Sequence, residues 1–425
     1  MTVFAILIIV LMVMIGAPLF VVILAATMLG FVSSEVDLAI IAAELYRIAE
    51  TPLLVALPLF TFAGYILSEG KTSERILRLT RVFFGWMPSG LAIVSLVACA
   101  VFTAFTGASG ITIVALGALL LPALIAEGYQ EKFSLGLVTT SGSLGLLLPP
   151  SIPLILYGVI VQQMSLGQRF TLPELFMAGL LPALLMILLL GLWTAWANRH
   201  LSWQRSVFSL TEAWAAIREA IWELPLPVFI VAGIFGGFLT VSEVAAVTAL
   251  YVMLVEIFVY KEIELQNLIQ VIKASMQMVG GILMILGVSI AFTNYLVDAQ
   301  IPMHLFEWVK ANIDSKMSFL ILLNIFLLIL GAILDIFSAL VIVVPLIVPI
   351  ALNYGVHPIH LGVIFLANMQ IGYFTPPVGM NLFIASYRFN KPITELYQAT
   401  IPFMLILLVA VLIITYVPWL STWFL

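Results

Sequence analysis

Apolar runs long enough to cross a bilayer recur along the whole chain, and polar residues are confined to short intervals between them. A membrane-spanning helix needs about twenty apolar residues. By that measure, full spans are predicted at 3–32, 50–68, 172–197, 225–241, 243–260, 274–297 and 399–422. The first is expected to bend at Gly16-Ala17-Pro18. Residues 89–127 and 317–352 differ, because each is one long apolar stretch interrupted near its middle. Thr106-Gly107-Ala108-Ser109-Gly110 interrupts the first, and Asp335-Ile336-Phe337-Ser338 interrupts the second. Each reads as a helical hairpin that enters the membrane, turns and leaves on its own side. Residues 132–163 and 359–387 follow, each broken by a Gly-x-x-x-Pro-Pro element. They read as helices unwound at mid-membrane, where exposed backbone is tolerated only beside protein or a polar cavity.

The interruptions are duplicated. Pro122, Gly128, Gly145, Pro149 and Pro150 recur as Pro349, Gly355, Gly372, Pro376 and Pro377, each 227 positions later. Proline and glycine break helices, so a repeated set of breaks describes two copies of one unit. Paired discontinuous segments in two halves point to a transporter's binding site. Glu174-Leu175-Phe176-Met177-Ala178 is likewise echoed by Glu395-Leu396-Tyr397-Gln398-Ala399, each leading into a full span. The predicted organisation follows. Residues 1–68 form N-terminal scaffold spans, and 69–163 a first transport unit with its hairpin at 89–127 and broken helix at 132–163. Scaffold spans at 164–297 include an interfacial helix at 203–223, which carries tryptophans and scattered arginines. Residues 298–390 form the second transport unit, with hairpin 317–352 and broken helix 359–387, and 391–425 the C-terminal span. Arg75, Arg78 and Arg81 sit at helical spacing on an amphipathic arm expected near lipid headgroups.

Charge sets the orientation. With hairpins returning to their own side, one face receives all of the 16 Lys and Arg except Arg47, Arg169, Lys310 and Lys316. Cytoplasmic loops are the basic ones. The N-terminus is therefore expected inside and the C-terminus outside, with the hairpins opening to opposite faces, as inverted repeats require. Composition agrees: 64% of residues are hydrophobic and 9% charged, which marks an integral membrane protein. The net charge of -5 gives no support for a nucleic-acid partner. Cys99 is the only cysteine, which excludes an internal disulfide or a cysteine metal cluster. The first segment lacks a basic leader and is too long for a signal core.

The chemistry lies in the breaks. Thr139-Thr140-Ser141-Gly142-Ser143-Leu144-Gly145 runs into Leu146-Leu147-Leu148-Pro149-Pro150-Ser151. A broken helix frees carbonyls on one half and amides on the other. Carbonyls and hydroxyls suit a hard monovalent cation, and half-helix amino ends attract a carboxylate. Thr106, Ser109 and the backbone of Gly107, Ala108 and Gly110 complete a cage of neutral oxygens around Ser141 and Ser143. The second copy offers Asp335 and Ser338, then Asn368 and Gln370 at the positions of Ser141 and Ser143. Two cation sites related by pseudo-symmetry are expected. Ser109, Ser143, Ser151, Asp335, Gln370 and Thr375 are the candidates to meet the substrate. Small residues also serve helix packing, but packing alone does not require two adjacent breaks at a fixed offset. Asp335 stands out, because an intramembrane carboxylate is costly, although it could instead sit at a watery tip or pair with a distant arginine.

Four strings resemble one family. They are Thr106-Gly107-Ala108-Ser109-Gly110, the run from Gly142 to Ser151, Gly236-Gly237-Phe238-Leu239-Thr240-Val241-Ser242-Glu243, and Gly372-Tyr373-Phe374-Thr375-Pro376-Pro377-Val378-Gly379. The chain is similar throughout to the large membrane subunit of tripartite ATP-independent periplasmic (TRAP) transporters, at the length of an unfused subunit. The resemblance implies an all-α inner-membrane protein with a mobile, elevator-type transport domain sliding against a scaffold. It implies uptake of an organic acid anion (a sialic acid, a C4-dicarboxylate or a sugar acid) coupled to Na+ at two or more sites. It further implies a small four-helix membrane subunit and a soluble periplasmic binding protein as partners. By the same resemblance the Na+ ligands include Gly145, Leu147 and Pro150 with Thr106 to Ser109, and Gly372, Phe374 and Pro377 with Asp335 to Ser338. The chain lacks the proline that often follows Thr240 in the family.

A stand-alone sodium–carboxylate symporter is the nearest alternative. Gly107-Ala108-Ser109-Gly110 also has the form of a rhomboid protease serine motif. That enzyme needs a histidine within reach of the serine, and His200, His304, His357 and His360 are all placed away from the tip. A passive channel is disfavoured, because no ring of charge or repeated filter is present.

Overall fold

The computed structural model describes residues 2–49, 51–87, 89–164, 170–200, 209–313 and 315–425. Among these the secondary structure is helical, with no strand. The hairpin helices of the two halves recur at the same offset. The first hairpin comprises helices Gly90–Thr106 and Ser109–Ala126, and the second Lys316–Ile333 and Ile336–Asn353. Adding 227 to the bounds of the first return helix gives those of the second. The two tips turn by different chemistry. Gly107 ends the first ascending helix in the left-handed region at φ 65°, its amide returning to the Thr103 carbonyl at 2.8 Å, a common helix stop. At the second tip Asp335 caps the return helix, accepting from the amides of Phe337 at 2.9 Å and Ser338 at 3.0 Å, as N-cap carboxylates do.

Each hairpin is followed by a broken helix. Glu131–Ser141 continues through a 3₁₀ turn at Leu144–Leu147 and resumes, bent by 41°, as Ile152–Gln163. Pro358–Gly372 stops and resumes as Met380–Phe389. Pro149-Pro150 and Pro376-Pro377 are both cis. The repeats also exchange partners. The first return helix packs on Met380–Phe389, and the second packs on Ile152–Gln163. Each hairpin is therefore backed by the other repeat's helix beyond the break.

The scaffold is built on Leu265–Asp298, which packs against Leu19–Ser33, Ala39–Ala49 and Ala56–Glu69. This helix starts nine residues before the expected 274, because Gln266, Asn267, Gln270 and Lys273 hide its first turns among polar residues. The stretch 3–32 is two helices, Thr2–Met14 and Leu19–Ser33, parted by Gly16 at φ 74° and Pro18. The span expected at 225–241 stops at Phe235, where Gly237 turns at φ 68°. Ile301–Asn312 is helical, so His304 lies in a helix rather than a loop. Of the interfacial segment, Leu210–Glu219 is helical. Residues 203–208, with Arg205, lie outside the described residues, as does Arg169.

The arginines of the basic arm Thr72–Phe84 pair with carboxylates of the protein. Arg75 is 4% exposed and bridges Glu223 at 2.7 Å, Glu256 at 3.4 Å and Glu262 at 2.6 Å. Burial lowers the Arg75 pKa, but its bonds to Glu223 and Glu262 outweigh that and raise it. Arg78 pairs with Glu212 at 2.7 Å and with Glu219, and Arg81 pairs with Glu127 at 2.8 Å. A buried charge persists only when paired, so Arg75 fastens the arm to the segments carrying Glu223, Glu256 and Glu262, while Arg81 ties it to the end of the first hairpin.

Candidate functional site

A cavity of about 740 Å³ lies where the first hairpin tip meets the scaffold. Gly107, Ala108, Ser109, Gly110 and Ile111 line it from the hairpin, and Tyr65, Ser68 and Glu69 line it from the scaffold helix Ala56–Glu69. Gln270, Ala274 and Met278 contribute from the long scaffold helix. Leu146, Phe337, Tyr373, Met380 and Ile384 close it from both breaks and the second tip. Both repeats thus reach one cavity.

Among the described residues its wall carries no Lys, Arg or His, and Glu69 is its one carboxylate. Positive potential comes from backbone. Neither Ala108, which precedes the helix Ser109–Ala126, nor Gly379, which precedes Met380–Phe389, supplies a side-chain cap. Ser109, Gly110 and Met380 of those first turns line the cavity. At the second of these ends the Asn381 and Leu382 amides are taken by the Tyr373 and Gly379 carbonyls, so the first turn of Ser109–Ala126 is the one whose amides can attract an anion. The counterparts of the two helices in the other repeat differ: Ser151 caps Ile152–Gln163 and Asp335 caps Ile336–Asn353.

The candidate cation ligands fall into distinct environments. Thr106 is fully buried, and its Oγ1 has no hydrogen-bond partner. Asn368 Oδ1 and Gln370 Oε1 are also buried and unpartnered. Oxygens left without donors suit a cation, because an unpaired buried polar atom is otherwise costly. Ser143 donates to the Thr140 carbonyl at 3.1 Å and to the carbonyl of Gln370, its own repeat equivalent, at 3.3 Å. Ser141 folds back on the Val138 carbonyl at 3.3 Å. Ser151 donates to the Leu146 carbonyl and Thr375 to that of Ile371 at 2.8 Å, so both hydroxyls close their own breaks. Ser338 donates to Asp335.

The breaks repeat at backbone level. The carbonyls of Gly145 and Gly372 accept from Leu148 and Thr375, each at 3.0 Å. A Cβ on Gly145 would lie 2.5 Å from the Ala104 nitrogen, and one on Gly372 2.5 Å from the Gly331 Cα. Ala104 and Gly331 are themselves 227 apart. Both breaks thus press bare backbone onto the ascending helix of their own hairpin. Other carbonyls are engaged. That of Leu147 packs against Gly179, that of Phe374 accepts from Thr400 at 3.4 Å, and that of Pro377 accepts from Tyr397 at 2.6 Å. Pro150 is buried and Pro377 exposed.

Sequence reasoning missed Asn381, Thr103, Thr112 and Asn324. Asn381 is fully buried and accepts from Ser109 at 2.8 Å. Thr103 joins Thr112 across the first turn at 2.7 Å and the Gly142 carbonyl at 2.8 Å. Asn324 accepts from Asn368 at 2.6 Å and from Thr415 at 3.2 Å. Their signal was a buried polar residue within an apolar run, the criterion applied to Asp335. Ser109 bonds an amide and His360 bonds Ser421 at 2.6 Å, which leaves no nucleophile–base pair at the tip.

Comparison with known proteins agrees with this architecture. Residues 3–420 match the family model described as tripartite ATP-independent periplasmic transporter, DctM component. The C4-dicarboxylate TRAP transporter large permease DctM of Rhodobacter capsulatus is 35% identical, over 92% of this chain and 91% of its own. The 2,3-diketo-L-gulonate TRAP large permease YiaN of Escherichia coli K12 is 29% identical, over 90% and 88%. An isethionate permease of Oleidesulfovibrio alaskensis, DctMQ, is 33% identical over 86% of this chain, which spans 57% of that longer protein. Among solved structures, the YdaH transporter of Alcanivorax borkumensis shares the fold, with a TM-score of 0.64 at 16% identity over 90% of this chain and 88% of its own. The hairpins, the paired breaks and these matches place the chain in the DctM family of TRAP transporter large permeases, a multi-span transport subunit and not an enzyme.

Proposed function

We propose that this permease imports an organic acid anion across the bacterial inner membrane, driven by co-transported Na+. The observation that carries the reading is a cavity with no cationic side chain among the described residues, met by the uncapped amino end of Ser109–Ala126 beside a buried, unpartnered Thr106 hydroxyl. Backbone amides receive the substrate carboxylate, and neutral oxygens at the tips and breaks receive Na+. Relatives named for C4-dicarboxylates, 2,3-diketo-L-gulonate and isethionate support an acidic substrate. Na+ orders the first tip, and the loaded hairpins and breaks move against the scaffold as one body.

A small four-helix membrane subunit and a periplasmic binding protein complete the system in this reading. The N-terminus faces the cytoplasm and the C-terminus the periplasm. The test is uptake into proteoliposomes holding both membrane subunits, with the binding protein and radiolabelled succinate, sialic acid or gulonate outside. An inward Na+ gradient should drive accumulation of one of these acids, and replacing Na+ with choline should abolish it. Equal uptake in choline would reject Na+ coupling. Full uptake by this chain alone would favour the stand-alone symporter.

A further inference from the structure

The hydroxyl of Ser109 has one proton, and the surrounding amide decides where it points. Asn381 lies 3.3 Å by its Nδ2 from the Thr139 carbonyl and 2.8 Å by its Oδ1 from Ser109 Oγ. A carbonyl oxygen can only accept, so the Asn381 nitrogen must face Thr139. Its oxygen then faces Ser109 and can only accept as well. Ser109 must therefore donate its single proton to Asn381. What Ser109 retains is lone pairs, and it lines the cavity.

We propose that Asn381 is a positioning residue that fixes Ser109 as a lone-pair ligand for a cation at the first hairpin tip and withholds it from the substrate carboxylate. The inference rests on the Na+-coupled reading and deepens it. A carboxylate needs donors, and the nearby first-turn amides provide them. A cation needs lone pairs, and Ser109 and the unpartnered Thr106 Oγ1 offer them on either side of one turn. Asn381 also donates its backbone amide to the Tyr373 carbonyl at 2.9 Å. A cation at the first tip is thereby tied to the break of the second repeat. The tie is single, because Leu154 stands 227 positions before Asn381. At the second tip Ser338 gives its proton to Asp335 within its own turn.

The test is thermal unfolding of the purified full chain in detergent, titrated with NaCl against choline chloride at constant ionic strength. Asn381→Leu removes the acceptor and the Thr139 bond together, whereas Asn381→Asp loses the Thr139 bond but keeps an acceptor for Ser109. The Leu variant should raise the half-saturating Na+ by about tenfold, and the Asp variant should stay within about threefold of wild type. A merely structural role would move both alike, and that result overturns the proposal. Ser109→Ala should match the Leu variant, and the double variant should be no worse than either single, as expected for one shared bond. Additive losses would overturn it. If Asn381→Leu does not fold, an unchanged Na+ response in Ser109→Ala overturns it instead. A wild-type protein indifferent to Na+ would reject the coupling itself, whereas a saturable wild-type response unaltered in Asn381→Leu would reject the positioning role alone.

Discussion

At the scale of single residues, the site is defined as much by missing atoms as by present ones. Gly145 and Gly372 allow the unwound backbone to touch the hairpin within its own repeat. A methyl at Gly145 would sit 2.2 Å from the Ala100 carbonyl oxygen and 2.5 Å from the Ala104 nitrogen. Both neighbours are backbone, which cannot rotate away as a side chain would. Gly145→Ala should therefore push the break off the hairpin and cost about 1–3 kcal/mol, in the range for overpacking a close contact. Gly372→Ala should do the same against Gly331, with a loss of melting temperature in both and a weaker Na+-dependent shift. Gly280→Ala is the control, because nothing lies within 4 Å of its added methyl. These glycines were legible from sequence, because a break repeated at a fixed offset needs no structure to be seen. Asn381 was legible only as a lone amide in an apolar run, and its role was not, because its partners Ser109 and Thr139 are more than two hundred positions away.

At the scale of elements, the arm Thr72–Phe84 shows what periodicity can and cannot say. Its amphipathic spacing predicts a helix correctly. What its charged face meets depends on Glu223, Glu256 and Glu262, which arrive from distant turns. The same limit hid Ala39–Ala49 and Ile301–Asn312, whose apolar faces are too short to register as spans. Arg75→Ala would leave three carboxylates around an uncompensated, nearly buried space, and losing one partner of a buried pair costs about 3–5 kcal/mol. The expected outcome is a lower melting temperature and an arm newly open to proteolysis. Acid should release the same latch. Burial raises the Glu262 pKa, but its bonds to Arg75 and the Lys71 amide outweigh that and hold it below the ordinary carboxylate value. A depressed carboxylate stabilises the fold fully above its unfolded pKa of about 4.3 and loses that contribution as pH falls through the lower folded value. Melting measured from pH 7 downward should fall below that range, and Glu262→Gln should remove that part of the loss.

At the scale of the whole molecule, the first hairpin and the helix Ala56–Glu69 meet on a backbone contact. Gly64 of the scaffold helix lies against the first hairpin tip, where an added methyl would stand 2.6 Å from the Thr106 Cα and 2.7 Å from the Phe105 carbonyl oxygen. If the transport unit slides past the scaffold, this contact belongs to one position of the cycle and is disfavoured by bulk. Gly64→Val should depopulate the observed arrangement and slow uptake, with Na+ binding to the isolated protein retained. Unchanged cysteine accessibility at position 109 in the Gly64→Val background would argue against such sliding.

The exchange of backing helices between repeats carries a consequence for how the protein is made. Ser109–Ala126 rests on Met380–Phe389, which the ribosome produces long after the first hairpin has emerged. Until then the first half must wait in lipid with a broken helix and an unfinished cavity. Neither half on its own should give a properly folded unit. A chain divided in the central connection should regain function only when both pieces are translated together in one membrane.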